Sequence, residues 1–210
     1  MPFEINPLTV FQQFGYIEDR KSGEHSIGTC PFCNKKEHFY INVSSKNKTW
    51  DCKECGESGG FQKFLQTVVQ KAKRCNEQKL QELSNNRGIT LNTIKAADIG
   101  FLNGRYVIPV YSADKKDIIN IKIYDGYSFK NTAGCGAAIY GLWGIPDKYT
   151  TIYVAEGEWD ALTMVDVLSF TKDFYRMAVI GVPGAGTFKS DMVNYFTGKE
   201  VYLLYDNDLA

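Results

Sequence analysis

Four of the six cysteines stand as Cys30-x2-Cys33 and Cys52-x2-Cys55, with 18 residues between the pairs. One C-x2-C can place two sulfurs on a single turn, and two such knuckles complete a tetrahedron. That spacing reads as a four-thiolate zinc site. The competing reading is two redox dithiols. Gly56 follows the second pair, where a tight turn around a metal often needs a positive φ. His38 is the only rival ligand nearby. With four thiolates available, it reads as a surface or hairpin residue. Cys75 and Cys135 have no spaced partner and read as small, semi-buried residues.

A second group of chemistry-bearing residues lies near the end of the chain. Glu156 closes the run TTIYVAEG, and Asp206 and Asp208 close EVYLLYDND. Residues two apart on a strand face the same side, so the aspartates can converge. Carboxylates clustered at strand ends repel one another, and a divalent cation relieves that. Oxygen ligands suit Mg²⁺ or Mn²⁺, which can clamp attacking and leaving oxygens in phosphoryl or nucleotidyl transfer. The plainer reading is ordinary solvated acids. GVPGAGTFKS mimics a phosphate loop, but Thr187 and Phe188 separate Gly186 from Lys189. A P-loop lysine must follow its glycine directly to reach the β/γ phosphates. An ATPase reading is therefore rejected in favour of a backbone turn.

The elements that must position these groups follow from the rest of the chain. Its 210 residues are 44% hydrophobic and 23% charged, which are globular values and exclude fibrous or disordered classes. No run approaches the roughly 18 to 20 apolar residues of a membrane span. MPFEINPLTVFQQFGYIEDR lacks a signal-peptide pattern, so a soluble, cytoplasmic chain is expected. Net charge is zero, which argues against nucleic-acid binding by bulk charge alone. Yet residues 1–148 carry +5 and residues 149–210 carry −5. The asymmetry suggests polyanion contact in front and metal ions behind.

Residues 1–20 read as a short helical lead-in. His38 to Val43 and Lys48 to Cys52 form a hairpin between the knuckles. Tyr40 and Trp50 on it either stack on bases or cover the small ribbon core. A helix is predicted from Phe61 into the low 80s, with Phe64, Leu65, Val68 and Ala72 on its apolar stripe. Its polar middle, QKAKRCNEQK, suits a mobile tether. Thr90 is placed to cap a short helix. YVIPVY and IINIKIYD are strands. A β-α-β-α-β series follows, implying a parallel sheet with its site at the carboxyl ends of the strands. The fold class is α+β and multidomain. A zinc ribbon with its lead-in (1–66) joins a helical linker (67–98), a basic segment (99–148) and an α/β domain (149–210).

CPFC…CKEC followed by GESGGFQKFL resembles the zinc-binding domain of DNA primases, and YVAEGEWDAL, GVPGAG and LLYDND resemble a Toprim domain. Their order is similar to the primase half of phage-type primase–helicases and their Twinkle-like relatives. The resemblance implies a DNA primase joining ribonucleoside triphosphates on single-stranded DNA, with zinc in the ribbon and Mg²⁺ or Mn²⁺ at the acids. It makes Glu156, Asp160, Asp206 and Asp208 the catalytic set, with Glu156, Asp206 and Asp208 holding magnesium. It matches Lys122 and Lys130 to basic positions that contact nucleotide or template phosphates; solvated hairpin lysines are the alternative. A replicative helicase in a bacterial or phage-infected cell is the implied partner, with the host system left open.

The family continues beyond its D-x-D pair, whereas only Leu209 and Ala210 follow Asp208 here. The expectation is a Toprim domain incomplete at its C-terminus, with weak metal binding and little synthesis. Two other functions compete: an inert zinc-ribbon module that grips single-stranded DNA, and a different Toprim enzyme such as a nuclease.

Overall fold

The computed structural model describes residues 7–145, 149–184, 187–188 and 190–205. The chain divides into two compact units. One comprises Met1–Asn76, Ile99–Ile108 and Ile121–Cys135, and the other Glu77–Asp98, Pro109–Asn120 and Gly136–Ala210.

The first unit is organised by aromatic burial. Strands β1 (Ile17–Ser22), β2 (His25–Thr29), β3 (Phe39–Asn42), β4 (Trp50–Cys52) and β5 (Ser58–Gly59) form an antiparallel sheet in chain order. The β3–β4 hairpin is the one expected from the sequence. The β1–β2 hairpin was not legible, because IEDRKS is polar almost throughout and shows no alternation. Helices α1 (Pro7–Gln13) and α2 (Phe61–Ala72) supply Phe11 and Phe64, whose ring centroids lie 4.4 Å apart. Phe39 and Trp50 stack 5.3 Å apart within the same cluster. Removing a fully buried ring of this kind costs about 3–5 kcal/mol.

The predicted single helix is broken in two. Helix α2 ends at Ala72, and the backbone N–H of Cys75 donates to the Ala72 carbonyl in a tightened last turn. Asn76, a favoured N-cap type, precedes α3 (Glu77–Arg87). Gly88 turns the chain with φ 66°. Helix α4 (Leu91–Ala96) follows, and the Thr90 hydroxyl accepts from the Thr93 N–H as the cap chemistry predicts. Strands β6 (Gly100–Leu102), β7 (Arg105–Tyr111), β8 (Ile118–Tyr124) and β9 (Phe129–Asn131) form a four-stranded sheet in that order. Within the first unit, Gly100 lies against α2 so closely that a Cβ would fall 2.3 Å from the Ala72 carbonyl carbon.

The second unit contains the expected parallel sheet. Strand β10 (Thr151–Ala155) is central, flanked by β11 (Met177–Gly181) and β12 (Glu200–Leu204). Helix α5 (Glu158–Leu168) connects β10 to β11, and a 3-10 segment, Ser190–Tyr195, precedes β12. Ile152 and Val154 of β10 and Ala178 and Ile180 of β11 face one side and join Ile139, Leu142 and Val182 in a buried cluster. The opposite face receives α5. Gly181 has no side chain because one would meet the Gly157 carbonyl oxygen at 2.5 Å. Small size at this strand end lets the N-terminus of α5 approach the sheet.

Candidate metal centre and acidic strand end

The two cysteine pairs sit on matched turns. The Cys30 N–H donates to the Lys35 carbonyl, and the Asn34 N–H to the Cys30 carbonyl. In the second knuckle the Cys52 N–H donates to the Glu57 carbonyl, and the Gly56 N–H to the Cys52 carbonyl. The ligand atoms of Cys30, Cys33, Cys52 and Cys55 all lie within 4.8 Å of one another. The Cys30–Cys55 and Cys33–Cys52 sulfur separations are 4.0 and 3.8 Å. A tetrahedron with Zn–S bonds near 2.3 Å has edges of roughly 3.8 Å. The sulfurs are therefore already spaced for zinc and too far apart for disulfides, which bond at about 2.05 Å. Burial pushes the Cys30 thiol above its ordinary value. Such crowded thiols become thiolates when a cation neutralises them.

His38 is not part of this cluster. Its Nδ1 lies 2.8 Å from the Lys36 carbonyl and its Nε2 4.0 Å from Glu54. Trp50 is 3% exposed, stacks on Phe39 and donates its indole N–H to the Gly60 carbonyl at 3.0 Å. A ring so enclosed offers no face to a base; it covers the core of the ribbon. Tyr40 is half-buried, with the Lys53 ammonium 5.6 Å from its ring centroid. Lys122 lies on β8 and is 4% exposed, whereas Lys130 on β9 is exposed. Lys122 pairs with Asn131 and Ile123 with Lys130 across the β8–β9 hairpin.

In the second unit, Glu156 follows β10 directly and is exposed. Gly157 is the extended N-cap residue of α5, and Asp160 stands exposed in its first turn. Ala155 of β10 is level with both Gly181 of β11 and Leu204 of β12. The carboxyl ends of all three strands therefore share one edge of the sheet, with Glu156 on it. Asp206 and Asp208 lie outside the described residues.

Two further carboxylates were missed by the sequence reading. Glu158, in the first turn of α5, is 4% exposed. Asp166, on the same helix, is buried and accepts from the Thr90 backbone N–H at 3.2 Å and from the hydroxyls of Thr90 and Thr93 at 2.5 Å each. Burial raises its pKa, but these donors outweigh burial and hold it below the ordinary carboxylate value. The available signal was an aspartate on the stripe of Ala161 and Leu162, where an apolar residue belongs. Asp166 acts structurally, joining α5 to the cap of α4.

The chain thus combines a four-thiolate ribbon with a three-stranded parallel sheet that carries a glutamate at the end of its central strand. Residues 8–98 match the CHC2 zinc finger family of the DnaG type. No curated protein matches the sequence. Among solved structures, the primase fragment of the bacteriophage T7 primase–helicase protein is 20% identical, with a TM-score of 0.47, over 88% of this chain and 81% of that one. The E. coli primase catalytic core is 15% identical, with a TM-score of 0.51, over 69% of this chain and 61% of that one. A DnaG catalytic core is likewise 15% identical, with a TM-score of 0.50, over 69% of this chain and 62% of that one. The chain thus spans less than two thirds of those two cores, and what is shared is the fold.

Proposed function

We propose that this chain is the primase part of a replication protein and makes short RNA on a single-stranded DNA template. The observation that carries the reading is the conjunction of a DnaG-type zinc finger over residues 8–98 with Glu156 at the carboxyl edge of a Toprim-like sheet. The charge division supports it: the first unit carries +5 and the second −5. A cationic unit suits template phosphates and an anionic one suits divalent cations.

The division of labour follows the sequence boundaries. The ribbon of 1–66 holds zinc through Cys30, Cys33, Cys52 and Cys55 and meets the template. The helices of 67–98 connect, and the segment 99–148 offers the exposed Lys130 to template or nucleotide phosphates, whereas Lys122, buried on β8, would reach them only from the other face of the hairpin. The domain of 149–210 carries the chemistry. Glu156, Asp206 and Asp208 would hold Mg²⁺ or Mn²⁺, and Asp160, in the first turn of α5, would complete the catalytic set. Bound there, such an ion would supply charge neutralisation for a triphosphate and would acidify an attacking 3′ hydroxyl. The carboxylates fix its position. Glu156 is exposed at the carboxyl end of β10, where an ion could reach it. Tyr40, half-exposed with Lys53 near its ring, would stack on a base from the ribbon. The partners are single-stranded DNA, ribonucleoside triphosphates and a replicative helicase, in a bacterial or phage-infected cytoplasm.

The test is incubation of the zinc-loaded chain, and of a version extended beyond residue 210, with single-stranded DNA, Mg²⁺ and the four ribonucleoside triphosphates. New oligoribonucleotide from either supports the reading. Shortened DNA identifies a nuclease, and retention of DNA without chemistry by both identifies a binding module.

A further inference from the structure

Three side chains within the first unit join the ribbon to strands far along the chain. Asn103, in the β6–β7 turn, donates through Nδ2 to the carbonyls of Phe14 at 2.7 Å and Pro31 at 3.1 Å. Phe14 follows α1 directly, and Pro31 lies inside the first zinc knuckle. The Arg105 guanidinium donates to the Gln13 carbonyl at 3.3 Å. The side chain of Gln13 in turn reads the other edge of the layer. Its Nε2 donates to the Asn131 carbonyl at 3.1 Å, and its Oε1 accepts from the Ala133 N–H at 2.6 Å. These contacts span 72 to 120 residues of sequence.

The fit around them is close. Gly15 has φ 104°, and a Cβ there would come within 2.6 Å of Asn103 Nδ2. Asn103 itself adopts a positive φ of 49°. Asparagine tolerates that conformation better than most residues, and its amide offers donors toward two carbonyls. An aspartate would turn a carboxylate toward the same two oxygens. Gln13 uses both ends of its amide, which neither Glu nor Ala can reproduce.

We propose that Gln13, Asn103 and Arg105 form a latch that fixes the end of α1 and the first zinc knuckle to the strand layer of the same chain bearing Lys122 and Lys130. Ribbon and layer then meet a nucleic-acid strand as one preorganised surface, not as two tethered ones. That last step rests on the template-binding reading; the latch itself does not. Preorganisation adds affinity because less ordering remains to be done on binding.

Hydrogen exchange on the zinc-loaded chain without DNA tests the latch alone. The Ala133 amide should be protected in the parent and exchange about tenfold faster in Gln13→Ala, with zinc content unchanged. Equal rates in the two proteins overturn the latch. Binding of an oligothymidylate tests the surface. Asn103→Asp, which touches no DNA in this scheme, should weaken it about fivefold with zinc retained. Unchanged affinity overturns the shared surface. A parent chain that binds no oligothymidylate overturns the template reading instead, while the exchange result still decides the latch.

Discussion

Asn34 and Gly56 occupy equivalent positions in the two zinc knuckles. Each lies four residues after the first cysteine of its pair, each donates its N–H to that cysteine's carbonyl, and their φ angles are 59° and 73°. The knuckle turn therefore imposes a left-handed residue, and the chain satisfies it once with glycine and once with asparagine. Nothing lies within 4 Å of a Cβ built on Gly56, so the cost of a side chain there is backbone strain alone. Gly56→Ala should destabilise the zinc-loaded ribbon by about 1–2 kcal/mol, and Asn34→Gly should be close to neutral. Denaturant titration of the zinc-loaded proteins checks both, and a neutral Gly56→Ala would contradict the turn geometry.

Zinc should hold the ribbon together. Elemental analysis of purified protein should give about one zinc per chain. A five-stranded ribbon this small has a core of a few rings, so chelation should unfold it. Cys52→Ser should do the same while leaving the circular-dichroism signal of the second unit in place. A folded, metal-free ribbon would refute the assignment.

Trp50 and Tyr40 separate two roles that the sequence could not. Both lie on the β3–β4 hairpin, but Trp50 packs inward and Tyr40 stands half-exposed. Trp50→Ala should cost about 3–5 kcal/mol of ribbon stability. Tyr40→Ala should change stability little and weaken single-stranded DNA binding by about 1–3 kcal/mol if a base stacks there. Thermal melts and DNA titration of the same two variants distinguish packing from contact. A Tyr40→Ala variant with unchanged DNA affinity removes Tyr40 from the interface.

Much of this was legible because the informative residues are local. The knuckle spacing, the Thr90 cap and the apolar β-branched run in TTIYVAEG each fix their neighbourhood without help from distant chain. What escaped depends on partners far away in sequence. The strand IEDRKS has no periodic signal of its own and forms because HSIGT pairs with it. Asp166 looks misplaced on α5 until Thr90 and Thr93 are seen to donate to it. Inward and outward positions on the ribbon hairpin were likewise ambiguous, since both faces carry aromatic residues.

Asp166 should make the second unit sensitive to acid. Its pKa is depressed in the folded chain, against roughly 3.9 in an unfolded one. A depressed carboxylate contributes stability above the unfolded value and loses it as pH falls through the folded one. The unit should therefore weaken below about pH 4. Asp166→Asn should flatten that dependence and lower stability at neutral pH by about 1–3 kcal/mol, because it removes a charged acceptor of three hydrogen bonds. Melting curves from pH 3 to pH 7 for parent and variant check both signs. Parallel curves would show that Asp166 is not the titrating group.

The acidic strand end carries the chemistry in the proposed function, and its test combines structure with activity. Glu156 is exposed at the edge where the carboxyl ends of β10, β11 and β12 are level. If Glu156 holds a divalent ion as proposed, Mg²⁺ or Mn²⁺ should raise the melting temperature of the second unit, following the mass-action form of ligand stabilisation. Glu156→Gln keeps the shape and removes the charge, so it should abolish the metal-induced rise while leaving the metal-free melt nearly unchanged. In a version extended beyond residue 210, Glu156→Gln or Asp206→Asn should reduce primer synthesis at least 100-fold, the scale of losing a group that stabilises transition-state charge. Primer synthesis that survives Glu156→Gln would move the catalytic site elsewhere.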